Sequence, residues 1–462
     1  MNLRERHSDA VRSPQQALPV SPRERYTEGR RLRRRVPRQQ HATWLIAKPT
    51  NDRLRPLDQV NQGRLPQLLP EKYTRMRASP FAFFRGAAAV MAADLATMPR
   101  TDVTVQICGD AHVRNLGAYA ALDGSLVFDI NDFDETARGP WEWDVKRFAT
   151  SLILAGEESG QSRTRCEESV RLFVRSYRQY LRMFATMRFA TLSRYRITRR
   201  PDAVLLEAIF REAGRVTPMR NLEKLTIERG GRVRFHDRPP ILEHVSTRLA
   251  GDVVRALDKY VATLVASRRR TFERYRPVDV AFKLVGTGSV GTRDYIVLLF
   301  GNGPRDPLFI QVKQELPSCY APYLRPSAST LHQGRRVAEG QQLMQTLSDP
   351  FLGYTAFGGH DYLVRQLADH KAALDPTRFN RRTLYESAVL CGEVLAKGHA
   401  RTGDAALLAG YAGKSPKLDR AVTAFAVTYA EQVRADHTLF CRTHEAGETS
   451  SRRFASRSQS AN

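Results

Sequence analysis

At 462 residues the chain is long enough for two or three lobes, and its 42% hydrophobic and 9% aromatic content excludes a disordered protein. Lysine and arginine number 73 against 48 acidic residues, and the net charge of +25 favours anionic partners such as nucleotides, nucleic acid, anionic lipid or acidic protein. A solvated Arg-rich surface would give the same charge, so composition names no ligand.

The first segment, 1–44, is rich in Arg, Pro, Gln and Ser and is predicted to be a disordered basic arm, with Arg30, Arg31, Arg33, Arg34 and Arg35 nearly consecutive. It lacks the apolar region of a signal peptide. Residues 81–96 have helical composition after Ser79-Pro80, but Arg85 and Asp94 interrupt them and they are too short to span a bilayer. Cys108, Cys166, Cys319, Cys391 and Cys441 form no CxxC pair, which argues against a zinc site and a disulfide framework. A soluble cytoplasmic protein is therefore expected.

A β-branched run at 103–108 predicts a strand, and 126–130 predicts a second one after an Asp123-Gly124 turn. Helical patterning begins near Trp143 and continues to about 275. Residues 278–314 revert to three strands, at 278–285, 295–300 and 308–312. Beyond Pro326 the chain reads as helical, with one further strand at 361–366. The expected class is α+β, with a mostly helical lobe at 45–275, a smaller β-rich lobe at 276–370, further helices at 371–445 packing on the first lobe, and a disordered tail at 446–462.

Two constellations carry chemistry. The first reads C-G-D-A-H-V-R-N-L-G (108–117), then F-D-I-N-D-F-D-E-T (128–136), then G-P-W-E-W-D (139–144). A strand ending in Gly109-Asp110, followed by Asn115, sets a carboxylate and a carboxamide on one loop, and a second strand brings Asp129 alongside. Phosphoryl transfer from a nucleotide needs such a carboxylate for the acceptor hydroxyl, and hard oxygen ligands for Mg²⁺. Turn propensity explains Asp123 but not Asp110, Asn115, Asp129, Asp132 and Asp134 gathered around two apolar strands. His112 reads as a metal ligand, a base or a structural histidine.

The second constellation contains G-x-G-x-x-G as Gly286, Gly288 and Gly291, with Ser289 inside it. Glycines there let backbone N–H groups approach phosphate oxygens. A strand follows rather than a helix, which favours a nucleotide-covering hairpin over a dinucleotide fold. Lys313 ends a further strand as a phosphate clamp, and Glu339, in a later helical stretch, is offered as its partner, with Glu315 as the alternative.

G-D-x-H-x-x-N resembles the catalytic loop of the aminoglycoside phosphotransferase and choline kinase branch of the protein-kinase-like superfamily. The resemblance implies Asp110 as catalytic base, Asn115 and Asp129 as metal ligands, and Asp132 as a further acidic ligand. It implies Asp144 as a structural brace of the loop. Cys108 departs from it, because the family usually has His there. Lys313 resembles the kinase lysine of the α- and β-phosphates. Arg85 and Arg293 enter as substrate or phosphate contacts on resemblance alone.

The Gly-rich hairpin follows the catalytic loop by more than 150 residues, the reverse of the kinase order. The resemblance thus implies a circularly permuted, two-lobed kinase-like fold, with a seam near 385–399. The ordered chain from about 45 to 445 also resembles the bacterial domain of unknown function 2252, through S-P-F-A-F-F-R-G (79–86), V-G-T-G-S-V-G-T-R (285–293), E-G-Q-Q-L-M-Q (339–345), H-A-R-T-G-D (399–404) and the motifs above. The expected activity is an ATP- or GTP- and Mg²⁺-dependent phosphotransferase with a hydroxyl acceptor. A catalytically silent nucleotide-binding scaffold and a basic nucleic-acid-binding protein are the alternatives.

Overall fold

The structure is a computed structural model that describes residues 20–459 apart from 46–50, 122, 201, 285, 325–331 and 368–370. The N-terminal part runs through α1 (Pro22–Arg35), α2 (Arg55–Asn61), α3 (Leu69–Arg77), α4 (Pro80–Gly86) and α5 (Ala88–Ala96). Strands β1 (Thr104–Ile107), β2 (Leu116–Ala120), β3 (Leu126–Ile130) and β4 (Ala137–Pro140) follow. Next come α6 (Trp141–Glu158), α7 (Arg163–Ala185), α8 (Phe189–Leu192), α9 (Val204–Ala213) and α10 (Pro218–Leu225). Strands β5 (Thr226–Arg229), β6 (Arg232–Phe235) and β7 (Leu242–His244) lead into α11 (Thr247–Val261) and α12 (Ala266–Phe272). Then β8 (Arg276–Lys283), β9 (Asp294–Phe300) and β10 (Pro307–Gln314) precede α13 (Gln333–Met344). The chain closes with β11 (Gly353–Phe357), β12 (His360–Gln366), β13 (Ala372–Ala373), α14 (Arg381–Thr402), α15 (Ala405–Ala412) and α16 (Lys417–Gln459). This is an α+β protein.

An antiparallel sheet of six strands has the order β11-β12-β10-β9-β8-β7. Alternation divides it into two faces. On one face Tyr295, Val297, Leu299, Ile310 and Val312 pack with Val253, Leu257, Tyr260 and Phe272 from α11 and α12. On the other, Ile296, Leu298 and Phe309 lie among Phe235 and Leu242. Lys283, Asp294, Gln311 and Lys313 share that second face by strand parity, and Lys313 pairs in register with Asp294. The helices α11 and α12, expected with the helical lobe as far as 275, thus belong to the sheet. Strands β5, β6 and β7 also interrupt the run expected to be helical.

The larger core joins α4–α7 and α14–α16 around β1–β3. Within it, the helix expected over 81–96 is broken at Ala87 into α4 and α5. Helix α13 lies between the sheet and this core, and two glycines set its approach. A Cβ on Gly334 would sit 2.1 Å from the Tyr362 carbonyl oxygen of β12, and one on Gly340 would sit 2.5 Å from Thr136.

The arm expected to be disordered over 1–44 is instead a docked helix from Pro22, while residues 1–19 lie outside the described residues. Ser21 and Glu24 cap α1 reciprocally. Arg33 Nε donates to the Tyr411 carbonyl at 2.9 Å and Arg38 Nη1 to that of Ala412 at 2.7 Å. These arginines satisfy carbonyls left open at the C-terminal end of α15. The tail expected to be disordered from 446 continues α16 to Gln459. Among the described residues no helix is long and apolar enough to cross a membrane, and no disulfide joins any of the five cysteines.

Candidate functional site

The loop after β1 is held from beneath. Gly109 has φ +85°, and a Cβ there would meet the Glu135 carbonyl oxygen at 2.3 Å. Asp144, in the first turn of α6, accepts from the backbone N–H groups of Cys108 at 2.8 Å and Gly109 at 3.0 Å. His399 Nε2 lies 3.3 Å from the same carboxylate, and Tyr177 meets His399 Nδ1 at 2.8 Å. Tyr320 donates to the Gly109 carbonyl at 2.7 Å. The loop is therefore rigid at the residue before Asp110.

Asp110 Oδ1 accepts from Arg147 Nε at 2.8 Å and Nη2 at 2.6 Å, while His112 Nε2 stands 3.5 Å from Oδ2. Burial by itself would raise this carboxyl, but Arg147 and His112 reverse that and hold it well below the usual carboxylate range. Arg147 is itself buried over the Phe84 ring at 4.1 Å. Asn115 Nδ2 donates to the Asp110 carbonyl at 2.8 Å.

The carboxylates beyond β3 divide in two. Asp129 does not face the loop: Lys397 of α14 donates to its Oδ2, and both side chains are buried. Its expected place as a metal ligand beside Asn115 is therefore corrected. Side chains alternate along β3, and position 129 falls on the α14 side. Asp132 and Asp134 instead line a cavity of about 100 Å³ with Asp110, Asn115, Ser289 and Gly288.

Lys313, buried at the end of β10, donates to Asp134 Oδ2 and lies 3.9 Å from Glu315. Ser289 Oγ donates to the same Asp134 oxygen at 3.0 Å. The Gly-rich hairpin, the lysine strand and the N-D-F-D turn thus converge on one carboxylate. Burial would raise Asp134, but Lys313 outweighs it and holds it down; burial and the charge of Asp134 push Glu315 well up. Glu339 takes no part. It is half-exposed and pairs with Arg335 at 2.6 Å, one helical turn away. Gln341 on the inner face of α13 and Gln345 just past its C-terminus stand in its stead, with Gln345 Nε2 donating to the Ile130 carbonyl at 2.6 Å.

The hairpin itself is pinned from an unexpected side. Gly286 and Gly291 have φ of 68° and 97°. Leu65 N–H donates to the Gly291 carbonyl at 2.7 Å, Arg64 Nη1 to that of Val290 at 2.8 Å, and Arg75 to that of Gly286. Arg64 and Lys72 also line the small cavity beside Arg85. No motif marks Arg64 or Lys72, and sequence reading missed both; it counted Asp134 in the carboxylate cluster but gave it no role. Lys72 donates to Asn61 Oδ1 at 2.7 Å, and burial with the nearby Arg64 charge pushes its amine well down. Arg85 keeps a buried Nε without a partner. Arg293 does not reach this cavity; it bonds Gln314 Oε1 at 3.1 Å.

Among the described residues no group of three or more His, Cys, Asp or Glu side chains is arranged for a metal ion. One feature nevertheless fits a hard cation. Asp110, Asp129 and Asp134 are each paired with a cationic side chain, whereas Asp132 forms no ion pair among the described residues, and burial and Asp134 push its carboxyl up. A carboxylate left uncompensated beside Asn115 suits Mg²⁺, which takes one or two carboxylates and completes its shell with water and phosphate oxygens.

The family model for an uncharacterized protein conserved in bacteria (DUF2252) matches residues 64–443. No curated protein and no solved structure matches the chain.

Proposed function

This chain belongs to the bacterial DUF2252 family, and from that premise, which names no reaction, we propose that it is an ATP- or GTP- and Mg²⁺-dependent phosphotransferase acting on a hydroxyl-bearing substrate. One observation carries the reading. Asp134 receives both Lys313 and Ser289, so the two constellations share a cavity although they stand in reversed chain order.

Strand order adds support for a permuted, kinase-like, two-lobed arrangement. The succession β8, Gly-rich hairpin, β9, lysine-bearing β10, α13, β11, β12 resembles the kinase order of Gly-rich hairpin, lysine strand and helix, and the catalytic-loop segment comes before it. On this reading the hairpin glycines and Ser289 face the phosphate chain, and Lys313 exchanges Asp134 for phosphate oxygens. Asn115 and Asp132 would hold Mg²⁺, which neutralises charge on the β- and γ-phosphates. Asp110 uses Oδ1 to hold Arg147, leaving Oδ2 to take the proton of the acceptor hydroxyl. The hydroxyl oxygen bonds the γ-phosphorus as the bond to the β-phosphate oxygen breaks. Arg85, whose buried Nε has no hydrogen-bond partner among the described residues, lines the same cavity as Asp110 and is set to meet the transferred group.

Thermal shift with ATP and Mg²⁺, followed by turnover of γ-labelled ATP, tests this. The wild type should be stabilised and turn over slowly even without its acceptor, while Asp110→Asn should bind but lose turnover by about 10²-fold or more. Absence of any nucleotide shift would sink the reading. A shift without wild-type turnover would leave a catalytically silent nucleotide-binding protein in its stead.

A further inference from the structure

A second, larger cavity of about 630 Å³ lies against the same sheet face, beyond Gln311. Gln311 ties the two cavities together: it sits two residues before Lys313 on β10, donates to Asp294 at 2.7 Å and accepts from Arg365 Nε at 2.9 Å. The lining contains five cationic side chains, Lys224, Arg268, Lys283, Arg365 and Lys371. Asp349 is the one carboxylate among the lining residues. Its two oxygens are already occupied by the backbone N–H groups of Phe351 at 2.8 Å and Gln366 at 2.5 Å. None of the five cations forms an ion pair among the described residues.

Unpaired cations gathered in a concave, partly desolvated space focus a positive potential and are costly to keep together. Burial, then the neighbouring Arg365 charge, pushes the Lys371 amine down to about 8. Burial lowers Lys283 in the same direction. A neutral nucleobase in this space would add nothing to the partial compensation that Lys283 receives from Asp294 and that Lys371 receives from Asp132 and Asp134. An anion of several charges would compensate them.

We propose that the larger cavity is a binding site for a multiply phosphorylated group, separate from the small cavity beneath the Gly-rich hairpin. Its volume falls in the range of small-molecule sites. With the nucleotide's phosphate chain placed under the hairpin, the phosphates here belong to a phosphorylated acceptor, held by Lys283, Arg365 and Lys371. The inference goes beyond the phosphotransferase reading and does not rest on it, because binding is measured without turnover.

The probe is inorganic tripolyphosphate, titrated calorimetrically into the full chain. The wild type should bind one equivalent. Lys283→Gln/Lys371→Gln should weaken binding at least tenfold, and Arg365→Gln should weaken it independently. The surface pair Lys259→Gln/Lys414→Gln, which removes as much charge elsewhere, should bind like the wild type. Lys283→Gln/Lys371→Gln should melt no earlier than the wild type, since removing crowded cations relieves repulsion and breaks no hydrogen bond among the described residues, so loss of folding would not mimic loss of binding. The sources separate by competition. Simultaneous binding of Mg²⁺·ATP and tripolyphosphate assigns the site to a phosphorylated acceptor; displacement by ATP but not by adenosine would put the nucleotide's own phosphates here and overturn the proposal. Unchanged affinity in Lys283→Gln/Lys371→Gln, or no wild-type binding, overturns the proposal. An ATP shift that survives in that case would leave the phosphotransferase reading standing.

Discussion

Lys313 and Asp134 lie 179 residues apart in the chain, yet they form a buried ion pair that closes the cavity between the sheet and the catalytic-loop segment. Asp134 also accepts from Ser289 of the Gly-rich hairpin. The pair therefore serves as both a structural clasp and the resting position of a base that the proposed chemistry requires.

Lys313→Met should destabilise the protein by roughly 3 kcal/mol in chemical denaturation, because Asp134 would be left partly buried and unpaired. Adding Asp134→Asn should restore much of that loss while nucleotide stabilisation stays absent. If the double variant is no more stable than the single one, the clasp is not what Lys313 contributes.

Binding of Mg²⁺·ATP should release a proton. Burial and the Asp134 charge raise the Asp132 carboxyl, so part of its population is neutral in mildly acidic solution, and a cation displaces that proton. Affinity should rise with pH through this range, and calorimetry in two buffers of unlike ionisation heat should give different apparent enthalpies. Asp132→Asn should remove the difference. Identical enthalpies for the wild type would discard Asp132 as a ligand.

The Gly-rich hairpin should loosen when its outer clamp is cut. Arg64→Ala removes the bond to the Val290 carbonyl and Arg75→Ala the bond to that of Gly286. Each bond is worth about 1 kcal/mol, and amide exchange over 286–292 should speed up several-fold in the double variant while the rest of the sheet is unaffected. Unchanged exchange would show that the glycine turns alone hold the hairpin.

Asp294 should make stability fall with rising pH. Burial raises its carboxyl to about 7, with Lys313 and Gln311 opposing. The folded state then holds a proton that the unfolded chain has already lost above about 4. Its contribution is complete below that point and is lost as pH rises through about 7, with a slope of at most about 1.4 kcal/mol per pH unit. Asp294→Asn, whose amide stays neutral, should flatten the profile between pH 5 and 8 (order-of-magnitude bounds about the window). A profile as steep as that of the wild type would assign the slope to another group.

Local pattern was enough for the elements that carry the chemistry. β-branched runs marked β1 and β3, the Asp123-Gly124 turn marked their neighbourhood, and strands on both sides of the glycines marked a hairpin rather than a dinucleotide turn. The family was also legible, because its motifs are short and contiguous. Other features depended on what each segment meets. The Arg-rich stretch at 30–35 looked disordered because nothing local shows that Arg33 will satisfy the end of α15, far along the chain. Asp129 looked the better ligand because it sits on a strand, but strand parity turns it to Lys397. Glu339 looked like the lysine's partner by helix position, yet it faces solvent. Sequence by itself determined the strands and turns that carry the two constellations, since those choices rest on backbone preference and short-range periodicity, but not α1 or β5–β7. Only the tertiary structure decided that Asp134 answers Lys313, that Asp132 is left uncompensated, and that Arg64 and Lys72 enter the cavity, because Coulomb pairing depends on distances that segments far apart in sequence acquire only when they pack.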